Sequence, residues 1–143
     1  MAATTRIAAL LCASALTLSA CGSTDKDSAS DFKGDQKAVA QAVEDLQSAS
    51  RKGDETKICT DLLAPALLTK IKAAQKGGCE PALKTALRDV DSYELTVKKV
   101  AIDGTNATAT VTSDVGKNDD RTDTLTLVKV GNAWKISELG SAS

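Results

Sequence analysis

The apolar residues of this chain change their spacing once, at Asp91, and that switch limits what it can fold into. Before it the period is helical. Val39, Val43 and Leu46 fall at i, i+4 and i+7, flanked by Ala38, Ala42 and Ala49. This predicts a helix capped by Asp35, running to about Ser50 and ended by Gly53. Asp54 starts a short second segment, Glu55 to Leu63. Pro65 suits the first turn of a third helix carrying Leu67, Leu68, Ile71 and Ala74. Gly77-Gly78 breaks it, and Glu80-Pro81 opens a fourth helix with Leu83, Ala86 and Leu87 on its buried side. After Asp91 the period is two. Tyr93, Leu95 and Val97 share one parity while Val100 and Ile102 take the other, which predicts a β-bulge near Lys98-Lys99. Asp103-Gly104 is a turn, and Ala107, Ala109 and Val111 face inward on the next strand, leaving room for a helix or a cavity. Gly116 to Asp120 is a hairpin loop. Leu125 and Leu127, then Val128 and Val130 after a parity change, make a third strand, and Gly131-Asn132 turns into a last one around Trp134. The expected fold is α+β: short N-terminal helices packed on a curved, mainly antiparallel sheet of about four strands with one face covered.

The start of the chain reads as an export signal. Met1 to Arg6 carries one positive charge, and Ile7 to Leu18 is an apolar run of about a dozen residues, short of the roughly 20 that a spanning helix needs. The run ends in Leu18-Ser19-Ala20-Cys21, which resembles the lipobox of bacterial lipoproteins. That resemblance implies a diacylglyceryl thioether on Cys21, cleavage before it, and a partner in the lipid bilayer. Cys12 would be discarded with the leader. Gly22 to Lys33 is small, polar and charged and reads as a flexible tether. Phe32 within it either dips into the bilayer surface or folds back onto the first helix. The expected organisation is a signal peptide over 1–20, a lipidated tether over 21–33 and one globular domain over 34–143.

Lys52-Gly53-Asp54 at the first helix end, the helix-rich first half, the bent strands and the closing Gly131-Asn132-Ala133-Trp134-Lys135-Ile136 resemble the nuclear-transport-factor-two-like superfamily. This is the cone-shaped fold shared by ketosteroid isomerases and polyketide cyclases, and the likeness spans most of residues 36–139. It implies a sheet curled into a cone. The family's first strand usually lies between helices, whereas here four helices precede every strand. Enzymes of this fold use carboxylates, Tyr and often His in an apolar cavity. Tyr93 and Asp54 are the residues that could be nominated here, and no spacing joins them.

Other chemistry is narrow. Histidine is absent, which removes the commonest general base and every His-bearing zinc site. Lys and Arg number 18 against 19 Asp and Glu, and there is one each of Phe, Tyr and Trp, so neither charge nor stacking favours nucleic acid. Cys59 and Cys79 lack C-x-x-C spacing and cannot close a zinc site by themselves, so a structural disulfide is expected, worth roughly 3 kcal/mol in the chain-entropy model. Asp114, Asp119, Asp120 and Asp123 lack the spacing of a calcium loop and read as a solvated hairpin loop. Asp89 and Asp91 read as turn and cap residues. No cofactor and no metal are expected. The leading expectation is a lipid-anchored, extracytoplasmic, non-catalytic binding module for a small apolar ligand in the cone or an envelope protein at the exposed sheet. The alternatives are an isomerase- or cyclase-like enzyme and an envelope scaffold.

Overall fold

A computed structural model describes residues 27–88, 94–114 and 120–140. Cys21, the leader, Tyr93, Asp89, Asp91 and Asp119 lie outside the described residues. The helices are α1 (Gly34–Lys52), α2 (Glu55–Lys57, continuing as a π-helical turn over Ile58–Leu62), α3 (Pro65–Ala74) and α4 (Cys79–Leu87). The strands are β1 (Glu94–Asp103), β2 (Asn106–Asp114), β3 (Asp120–Val130) and β4 (Ala133–Glu138), in sheet order β1-β2-β3-β4 and antiparallel throughout. This is the α+β arrangement that the change of period predicts. No helix among the described residues is long and apolar enough to cross a membrane.

Local chemistry accounts for the helix boundaries. Gly53 ends α1 in the left-handed region (φ 63°), where its N–H reaches the carbonyls of Ala49 and Ser50, while Arg51 and Lys52 complement the negative end of the helix dipole. Asp54 Oδ1 accepts from the Lys57 amide and starts α2. Pro65 occupies the first turn of α3. One boundary differs from expectation. Asp35 is not the α1 cap but a first-turn residue, and its carboxylate pairs with Lys129 Nζ at 3.1 Å. On α4, Leu83 and Leu87 pack partly against the core but Ala86 is exposed, because this helix lies over α2 and α3 and not over the sheet.

The core lies between α1 and the inner sheet face. Val39, Val43 and Leu46 share one buried cluster with Leu95, Val97, Val111, Leu127 and Ile136. Ala107 and Ala109 are 2% and 0% exposed, so the room their small side chains leave is taken by packed helix. The predicted bulge is present: Val97 pairs with Val111 and Lys99 with Thr110, leaving Lys98 unpaired. The second register shift is not on β3 as the parity change suggested. Thr126 opposes Glu138 while Leu127 opposes Ile136, so the extra residue is Ser137 on β4, and Val130 on β3 faces out at 39% exposure.

Two further departures concern the chain ends of the cone. The four helices precede every named strand, but Leu63 forms an isolated parallel bridge with Ile136, and the Ala64 amide donates to the Ile136 carbonyl at 2.8 Å. A single residue thus stands where the fold usually has a strand. The expected tether is also too long. A 3-10 turn over Ser28–Asp31 buries Ser28 and Ala29, and Phe32 folds back against the core. Packed structure therefore takes in Ser28 and Ala29 and is not confined to residues from Gly34 onward.

Candidate functional site

Three places could carry function: the cone interior, the free edge of β1, and the grooves around the helices. The interior is filled. Ile58, Leu63, Leu127 and Ile136 have under 2% exposure, and Trp134 at 5% closes the β4 end. The Trp134 indole Nε1 has no hydrogen-bond partner. Lys129 Nζ lies 5.6 Å from the centre of its ring and reaches Asp35, so the ammonium is held between a π face and a carboxylate. That arrangement fixes a charge at the rim of the cone. It offers no acid paired with a base.

The β1 edge explains the buried polar residues. A strand at a sheet edge leaves backbone groups that need partners. Gln47 Oε1, on α1, accepts from the Leu95 amide at 2.6 Å. Ser28 Oγ accepts from the Val97 amide at 3.1 Å, and Gln36 Nε2 donates to the Val100 carbonyl at 3.1 Å. Glu44 holds the Ser28 turn in place, its Oε1 accepting from Ser28 Oγ at 3.1 Å and from the Ala29 amide at 2.7 Å. Side chains from α1 and the N-terminal turn thus do what a fifth strand would do. Sequence reasoning missed this set entirely.

The grooves are open. One of about 550 Å³ runs between α3 and the β3–β4 end, lined by Leu67, Lys70, Thr124, Thr126, Ser137 and Glu138. Its Lys70–Glu138 pair is 3.6 Å apart and more than 60% exposed on both sides, so solvent screens it. Another of about 680 Å³ lies over the disulfide, between Thr60, Leu68, Lys72 and the Gly77–Pro81 segment. The outer face of the sheet, away from α1, is a grid of threonines whose β3 members Thr124 and Thr126 also border the groove beside α3. Thr108 opposes Thr126, Thr110 opposes Thr124, and Thr112 opposes both Thr96 and Thr122. No element among the described residues covers it away from that groove.

The predicted site residues do not converge. Cys59 and Cys79 are at disulfide-bonding distance, their Cα atoms 6.1 Å apart, and tie the π-helical turn to the start of α4. Asp54 is a helix cap. The acidic cluster is not one loop: Asp114 ends β2, Asp120 begins β3, and Asp123 lies inside β3 opposite Val111, on the same core-facing side as Leu125 two residues on. Among the described residues no group of three or more acidic or cysteine side chains could hold a metal ion.

Comparison with solved structures gives the fold. A structure named Rd1NTF2_05, carrying five substitutions, is 15% identical with a TM-score of 0.58, over 77% of this chain and 100% of that one. A candidate dehydratase of the NTF2-like family from Streptomyces avermitilis is 16% identical with a TM-score of 0.51, over 71% and 90%. An NTF2-like protein of unknown function from Shewanella baltica is 17% identical with a TM-score of 0.51, over 74% and 91%. The chain therefore has the NTF2-like cone fold, and likenesses at this identity bear on fold alone. No family model matches the chain, and no curated protein matches it.

Proposed function

We propose that this chain is a lipid-anchored, extracytoplasmic binding module without catalytic activity, held at the membrane by an acylated Cys21 and meeting an envelope protein on its uncovered sheet face. The observation that carries the non-catalytic reading is the filled cone. The inward positions of α1 and the sheet hold Val43, Leu127, Ile136 and Trp134, and Gln47, Lys129 and Asp35 are engaged in a hydrogen bond to the sheet edge and a charge pair. A substrate would have to displace core side chains, at a cost of several kcal/mol by analogy with core substitutions. The same packing favours a protein on the sheet face over a small apolar ligand in the cone. The anchor rests on Leu18-Ser19-Ala20-Cys21 at the end of an apolar run of signal-peptide length. The threonine grid supports a protein partner, since it combines exposed methyl groups with hydroxyls and buried neighbours hold it rigid.

Photo-cross-linking in the native membrane tests the reading. A photoreactive residue at Thr110 or Thr112 should yield one discrete protein adduct, and the same residue at Lys72 on α3 should not. Equal or absent adducts from both faces would contradict the assigned surface.

A further inference from the structure

The Cys59–Cys79 bond has an open groove beside it, and its two sulfurs sit in unlike places. We propose that it is an exchange site for a low-molecular-weight thiol, which attacks Cys59 Sγ and expels Cys79 as the thiolate; this rests on the bond and not on the membrane anchor.

Access comes from the α4 side. Each cysteine is 7% exposed, and both line the groove of about 680 Å³, a volume of the size that small-molecule sites have. Gly77 and Gly78 line it too, and a Cβ at Gly78 would meet nothing within 4 Å, so the wall is bare next to Cys79. Cys79 is the only fully buried residue of α4, and Leu83 and Leu87 are only partly covered. A helix held so lightly opens at less cost than the sheet core, and its opening widens the approach to the bond.

The sulfurs differ as leaving groups. Cys79 is the first residue of α4, and no side chain caps that end. The Cys79 and Glu80 amides stand outside the helical ladder, and their partial positive charge stabilises a thiolate on Cys79. Lys72 in the groove adds to this and Glu80 opposes it. Cys59 lies inside the π-helical turn, behind an α2 whose own N-terminus Asp54 already caps. The better leaving group departs, so the incoming sulfur stays on Cys59.

The step needs no oxidant. A thiolate RS⁻ forms a bond to Cys59 Sγ as the Sγ–Sγ bond breaks, and that electron pair goes to Cys79. Attack of the Cys79 thiolate on Cys59 Sγ reverses it and releases RS⁻. Attack of a second RS⁻ on the RS sulfur instead gives RSSR and two reduced cysteines.

Glutathione tests the proposal on the full protein in detergent without denaturant, with early acid quenching, alkylation of free thiols and peptide mapping by mass spectrometry. Glutathione on Cys59 with the alkyl label on Cys79 should exceed the reverse pattern about threefold. The rate should be nearly flat in urea below the unfolding midpoint, as for a local opening. Glu80→Gln, which removes the like charge beside the leaving sulfur, should speed the reaction about two- to fivefold. Equal or reversed labelling, or an unchanged rate in Glu80→Gln, overturns Cys79 as the leaving group and with it the proposal. A rate that climbs with urea as steeply as global unfolding does also overturns it, because the bond is then reached only in the unfolded chain. Alkylation of both cysteines before glutathione is added overturns the bond itself.

Discussion

The Leu95 amide donates to Gln47 Oε1 across 48 residues of sequence, at 2.6 Å and out of contact with water. Gln47 is 4% exposed in the middle of the apolar face of α1, a position where a polar side chain is costly unless it is fully used. It is used to end the sheet. Gln47→Leu should lower stability by about 1–3 kcal/mol, because it orphans a buried N–H while keeping the volume. The denaturant midpoint measures this, and an unchanged midpoint would mean that water replaces the side chain.

Gly140 follows β4 and lies against β3. A Cβ there would fall on the Thr124 carbonyl oxygen and 2.9 Å from its carbon, both rigid backbone atoms. Gly140→Ala should therefore cost about 1–3 kcal/mol although the residue is exposed, whereas Ala substitution of its neighbour Leu139 should cost little. Thermal melts of the two variants separate close approach from loss of apolar contact.

The Cys59–Cys79 bond holds α4 to a part of the fold it otherwise touches lightly, since Cys79 is its only fully buried residue. Replacing both cysteines by Ala should lower stability by roughly 3 kcal/mol in the chain-entropy model. Hydrogen exchange should rise in α4 before it rises in β2 or β3. Uniform acceleration along the chain would show α4 to be part of the central core.

Trp134 is the single tryptophan and reports on the cone interior. Its emission should stay unshifted on titration with an apolar dye such as anilinonaphthalene sulfonate, and the dye should gain no fluorescence. Trp134→Phe should be close to neutral in stability, because it removes an indole N–H that has no partner at the same time as it removes area. A dye-dependent shift would reveal an interior that opens, and with it a ligand site in the cone.

What the sequence discloses depends on how local the cause is. The bulge at Lys98 is legible because the parity of Val97 and Val100 conflicts within one strand. The shift at Ser137 is misplaced by the same reasoning, since the apolar pattern of β3 records a mismatch without saying which partner strand holds the extra residue. The disulfide follows from the scarcity of other chemistry. The Ser28 turn looks like tether because small polar residues cannot bury area alone. What orders it is Glu44 on α1 and an unpaired amide at Val97, 69 residues away. Asp123 looks like loop for a related reason: its place on the core-facing side of β3 depends on pairing with Val111.

The intact mass of the protein extracted from membranes tests the central claim most directly. The account predicts a chain beginning at Cys21, heavier than its sequence by a diacylglyceryl group and lighter by two hydrogens for the Cys59–Cys79 bond, with Cys21→Ser appearing in the soluble fraction. A mature chain that begins elsewhere, or a Cys21→Ser protein that stays with the membrane, would contradict it.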